Sequence, residues 1–156
     1  DYEYMSRYRE VLDLIVKVKT KDPLEMLDQA DAYMAINQQN LAAEKAFEAG
    51  KRLEGDFKDD IYYAVGLLEQ CGEAGKALQL CERWLTDFPN DADFMLAKVR
   101  CLSALGQFDQ ADKVLESARA TQPDLPELGA AAKAVAQARR KVVDFQAYRK
   151  RKHDNQ

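Results

Sequence analysis

His153 is the only histidine in the chain, and it sits in a charged segment near the end. A histidine-based nucleophile relay, general base or zinc site has no second imidazole to draw on. Three cysteines, Cys71, Cys81 and Cys101, are spaced by ten and twenty residues. That spacing matches neither a disulfide framework nor a metal-binding motif, so reduced thiols inside a helical core are expected. The acidic pairs Asp59-Asp60 and Asp91/Asp93 stand where helices should begin, and a carboxylate there offsets the helix dipole without any catalytic duty. Gly72 and Gly75 follow no strand, so they do not form a phosphate-binding loop. The chemistry-bearing residues therefore predict no catalytic site, no metal and no cofactor, and the chain is not expected to be an enzyme.

Those residues are carried by an ordinary folded composition. Of 156 residues, 47% are hydrophobic and 32% charged, with four prolines and seven glycines. Disorder is excluded by that balance, and no apolar run approaches the roughly 18 residues that cross a bilayer. One domain is the expectation from length. The sequence opens on Asp1 without a signal-peptide pattern, which reads as a fragment of a longer array. With reduced thiols, a cytoplasmic location is expected. Charge is uneven: residues 1–138 hold 16 basic and 25 acidic side chains, net −9, while residues 139–156 hold seven and two, net +5.

An internal period organises the chain. Gly72 and Gly106, Ala77 and Ala111, Pro89 and Pro123, Val65 and Val99, and Leu68 and Leu102 are each 34 residues apart. Five coincidences in one register indicate a duplicated unit. Within residues 58–91, Ile61, Ala64, Val65 and Leu68 follow the i, i+3, i+4, i+7 spacing of a helix face. Gly72 interrupts it, and Ala77, Leu78, Leu80, Cys81, Trp84 and Leu85 supply a second amphipathic stretch. Pro89 ends that stretch, and Asn90 or Asp91 can cap the next helix. Residues 92–125 repeat the scheme.

These residues resemble the tetratricopeptide repeat, whose 34-residue unit has a small residue where its helices cross, a glycine in the turn and a closing proline. The resemblance implies an all-α, right-handed α-α superhelix, a solenoid of about three repeats and flanking helices, about eight helices in all. It divides the chain into an N-terminal helix in 1–22, similar to the second helix of a truncated repeat, then a degenerate repeat in 23–57. Full repeats follow in 58–91 and 92–125, then a capping helix and basic tail in 126–156. In the degenerate repeat Ala43 and Phe47 fit the second helix after a turn one residue longer at Gln38-Gln39-Asn40, and the turn glycine is missing. Val65, Leu68, Ala77, Trp84, Val99, Leu102, Ala111 and Leu115 are the expected core. Leu128, Ala131, Val135, Val142, Phe145 and Tyr148 lie along one side of the last helix and should pack against the third repeat.

In that family the first helix of each pair lines a concave groove. The positions it uses fall here on Asp28, Asp31 and Met34, then Asp59, Tyr62, Tyr63 and Glu69, then Asp93, Leu96, Ala97 and Arg100. The implied function is a scaffold or adaptor holding a partner peptide or helix in this groove. A small chaperone or secretion-type escort is the related alternative. Binding of nucleic acid or an anionic membrane through the basic C-terminal helix is another, disfavoured by the acidic body. The family's carboxylate clamp for chaperone tails uses lysine, asparagine and arginine at positions that here hold Asp28 or Leu27, Asp31 or Ala32, Tyr63, Asp93 and Ala97, so such tails are not expected partners. Homodimerisation stays open.

Overall fold

The computed structural model describes all 156 residues and contains eight α-helices and no strand. The helices are α1 (Tyr2–Lys17), α2 (Pro23–Ala35), α3 (Gln39–Arg52), α4 (Lys58–Gln70), α5 (Ala74–Asp87), α6 (Ala92–Ala104), α7 (Phe108–Thr121) and α8 (Glu127–Asp154). A short 3-10 turn, Gly55–Phe57, precedes α4. None of the helices is long and apolar enough to cross a membrane. The chain divides into two compact units, Asp1–Leu80 and Cys81–Gln156, with the boundary inside α5. One domain was the expectation from length; in a helical array each hairpin touches only its neighbours, so compactness is local.

Local chemistry fixes the helix starts. Asp22 accepts a hydrogen bond from the Leu24 amide at 2.9 Å, and Pro23 occupies the first helical position, where its missing N–H is no loss. Asp91 Oδ1 accepts from the amides of Asp93 and Phe94 at the start of α6. Asp59 and Asp60 lie in the first turn of α4, as their types suggest.

The helix ends reveal a regularity hidden in the sequence. After α2, α4 and α6 the chain turns through three residues, and Asn37, Gly72 and Gly106 hold φ of 61°, 74° and 77°. In each turn two amides close back on the helix. Gln38, Glu73 and Gln107 donate to the carbonyls of Tyr33, Leu68 and Leu102 at 2.8–2.9 Å, and Asn37, Gly72 and Gly106 to those of Met34, Glu69 and Ser103. This is the Schellman arrangement, in which a left-handed residue satisfies the orphan carbonyls. Asparagine tolerates that conformation better than other side chains, so Asn37 stands in for the glycine that the first repeat lacks. The turn is therefore Ile36–Gln38 and no longer than the others. The extra residue lies instead between α3 and α4, in Leu53–Phe57. The small residue matching Ala77 and Ala111 is consequently Ala42, not Ala43: the amides of Ala42, Ala77 and Ala111 bond the carbonyls of Gln38, Glu73 and Gln107 alike.

In unit Asp1–Leu80 the core gathers Met26, Leu27 and Ala30 from α2, Ala42, Ala46 and Ala49 from α3, and Ile61, Val65 and Leu68 from α4. Gly50 admits Leu80 so closely that a Cβ there would lie 2.5 Å from Leu80 Cδ1. In unit Cys81–Gln156 the core is Trp84, Phe94, Met95, Val99, Leu102, Ala111 and Leu115, closed by Leu128 and Val135 of α8. Every residue of the expected core is buried.

The last helix departs from expectation. Leu128 and Val135 are its only buried residues, and every residue from Arg140 onward is exposed. Val142, Phe145 and Tyr148 are 42%, 59% and 53% exposed, so they are not packed against α6 or α7. The covering role of α8 ends at Arg139, whose guanidinium bridges Asp109 and Asp112 of α7, at 3.3 and 2.7 Å, and lies over the Phe108 ring.

Candidate functional site

The groove residues divide between the two units. In the first, α2 and α4 present Asp28, Asp31, Asp59 and Tyr63 exposed, with Met34, Tyr62 and Glu69 half-buried. Asp31 lies one turn after Asp28 on α2, so both carboxylates share one face. Two contacts join the helices. The Tyr63 hydroxyl donates a short hydrogen bond to Asp31 Oδ1. The Cys71 thiol donates to the Met34 sulfur at 3.5 Å, which turns Met34 toward the end of α4. The Cys71 thiol is itself only half-buried, against the expectation of full burial, and desolvation, aided by nearby Glu73, raises its pKa and disfavours the nucleophilic thiolate.

The hydrogen bond to Asp31, then burial and the charges of Asp31 and Asp28, push the Tyr63 hydroxyl up to about 12 from its ordinary value of 10.0. The bond therefore supports the folded state fully below pH 10 and is lost as pH rises through about 12. Among the seven tyrosines, Tyr63 should ionise late in an ultraviolet titration at about 295 nm, and Asp31→Asn should bring it back toward the ordinary tyrosine value near 10. Unchanged titration of that variant would break the link between the two helices.

Beside this face, α1 and α2 enclose a cleft of about 490 Å³. Its floor is Tyr8, Leu12 and Ile15 of α1 with Val18 just beyond that helix, and its wall includes Glu25, Asp28 and Asp31 of α2. Gln29 also lines it and is only 2% exposed. Its Nε2 donates to the carbonyls of Ile15 and Val18, at 3.1 and 2.5 Å, and so ties off the end of α1. Its Oε1 is buried without a donor. Sequence reasoning passed over Gln29; the signal was a polar residue between Met26-Leu27 and Ala30, on the apolar face of α2.

In the second unit, Asp93 and Arg100 are exposed on α6 and Leu96 is half-buried. Ala97, expected in the groove, is fully buried and contributes packing alone. Arg100 borders a smaller cleft of about 300 Å³ against Ala131, Ala134 and Ala138 of α8. No three His, Cys, Asp or Glu side chains converge as a metal site would require. The single histidine, His153, lies exposed near the end of α8.

Helical hairpins repeating every 34 residues, closed by like turns and small residues at like positions, define a helical-repeat protein. The model of the tetratricopeptide repeat family matches residues 67–138, from the end of α4 into α8, a match that supports assignment to this family. Repeats of this family generally mediate protein–protein interaction. No curated protein and no solved structure matches the chain.

Proposed function

We propose that the chain is a protein-interaction module, and that the α2–α4 face of its first unit holds a basic, partly apolar segment of a partner protein. The observation that carries this reading is the Tyr63–Asp31 pair: an aromatic ring 47% exposed, held by a carboxylate on the neighbouring helix, with Asp28 and Asp59 exposed on the same two helices. A tyrosine whose hydroxyl is already fixed offers contact area at little further entropic loss. The surrounding carboxylates favour lysine and arginine and repel an acidic or carboxylate-terminated peptide. An escort role would use the same face and the same chemistry. The exposed Asp93 and Arg100 on α6 would serve as a second contact patch in the other unit.

The test is a titration of the full chain with two amphipathic helical peptides of equal length and opposite charge. The basic peptide should bind, and Tyr63→Ala or Asp31→Lys should each weaken it at least tenfold, about 1.4 kcal/mol. Equal binding of both peptides, or indifference to both substitutions, removes the face from consideration.

A further inference from the structure

We propose that the free half of α8 from one copy of the chain docks lengthwise into the α1–α2 cleft of a second copy, so that the protein associates head to tail. The inference rests on reading α2 as a ligand-binding face and names the ligand.

The two surfaces fit in chemistry and in length. From Arg140 to Asp154 the helix is exposed throughout. Lys141, Phe145, Tyr148 and Lys152 stand at i, i+4, i+7 and i+11, a single stripe with two aromatic rings between two cations. Val142 and Arg149 widen it on one side. This is an amphipathic basic helix with its apolar residues in water, an arrangement that calls for a cover. The cleft offers the reverse pattern, an apolar floor of Tyr8, Leu12 and Ile15 beside a wall carrying Glu25, Asp28 and Asp31, with no cation in its lining. A second cavity of about 490 Å³ continues it along α1, lined by Tyr2, Met5 and Tyr8 and by one cation, Arg9, beside two acids, Glu10 and Asp13. Only Leu12 of α1 is buried, so the floor is open along its length. The free segment of α8 is about 22 Å long and α1 about 24 Å, at 1.5 Å per residue.

An independent observation points to a ligand in the same place. Gln29 Oε1 is a buried acceptor without a donor, on a side chain that lines the cleft. Buried polar atoms of this kind are uncommon in folded proteins, and this one lies at the cleft. A lysine or arginine head delivered along this wall meets the carboxylates of Glu25, Asp28 and Asp31, of which Glu25 already accepts from the Thr20 hydroxyl and Asp31 from Tyr63. Because the contact joins two different surfaces, each copy can both give its helix and receive another, so association either closes into a ring or propagates from copy to copy.

The test is sedimentation velocity on the full chain from about 1 to about 200 μM, a range that brackets micromolar association. The wild type should pass from monomer to dimer and beyond as concentration rises. Raising salt from about 0.05 to about 0.5 M should weaken this several-fold, because the attraction is screened. Two doubly substituted proteins separate the surfaces: Tyr8→Asp with Asp28→Arg spoils the cleft, and Phe145→Asp with Tyr148→Asp spoils the helix. These four positions are exposed, so unchanged circular dichroism is expected of both. Each variant alone should remain monomeric, and an equimolar mixture should form a one-to-one heterodimer, since each supplies the surface that the other lost. A wild type that stays monomeric throughout overturns the proposal, as does a mixture that fails to pair. Association that survives the cleft substitutions overturns it in favour of helix-to-helix pairing of the tails. Monomeric wild type that binds phosphatidylserine vesicles through Phe145 and Tyr148 overturns it in favour of a membrane surface. Loss of basic-peptide binding in Asp31→Lys, with self-association absent, would leave the proposed function standing and this inference fallen.

Discussion

Trp84→Ala should destabilise the unit Cys81–Gln156 by about 3–5 kcal/mol, the range for deleting a large buried aromatic side chain. Trp84 is 7% exposed and stacks between two rings, with centroids 4.4 Å from Phe88 and 5.1 Å from Phe94. Its indole Nε1 donates to Asp91 Oδ2 at 3.0 Å. The same carboxylate caps α6 through its other oxygen. Tryptophan thus joins packing on α5 to the start of α6 through one acid. Trp84→Phe keeps one ring in the stack but removes the N–H donor and part of the buried ring volume, so it should cost less than the alanine change, about 1–3 kcal/mol. Urea unfolding followed by circular dichroism measures both. A shift below about 1 kcal/mol for the alanine variant would mean that the stack contributes little beyond ordinary surface contacts.

Ala77→Leu and Ala111→Leu should each destabilise by about 1–3 kcal/mol through overpacking. Both alanines are wholly buried, with no room for three further carbons. Ala120→Leu on the exposed side of α7 is the control, since an exposed substitution there should change stability by no more than about 0.5 kcal/mol. Thermal melts of the three variants should rank the control apart from the other two. Equal melts would show that the small residues are incidental to the helix crossing.

What the sequence disclosed depended on how uniquely a physical constraint maps onto residue type. Gly72 and Gly106 were legible because a left-handed turn residue is usually glycine. Asn37 was not, because asparagine meets the same need less often and appears in many other settings. Missing it displaced the extra residue of the first repeat into the wrong turn and moved the small crossing residue from Ala42 to Ala43. The core of α4 through α7 was legible because a spacing of three and four with alanine at the crossing leaves few other arrangements. In α8 the same spacing misled. Val142, Phe145 and Tyr148 do form an apolar stripe, but periodicity states only that a helix has an apolar face, not that anything covers it. The face of α2 and α4 was placed by family resemblance, and the Tyr63–Asp31 bond needed two helices brought side by side, which no single stretch of sequence encodes.

The exposure of α8 beyond Arg139 also determines how that segment holds its shape. An isolated helix of about 15 residues is marginal in water, since the first turn fixes several residues for a single hydrogen bond. Here that nucleation is supplied by Glu127–Arg139, anchored by Leu128, Val135 and the Arg139 bridge. The remainder only propagates it. Its amides should therefore exchange with solvent in a gradient, slowest near Arg139 and fastest at Asp154, by fraying that leaves the rest of the unit folded. One continuous helix in geometry is two in thermodynamics, a cooperative anchor and an extension whose order grows or recedes with whatever lies against it.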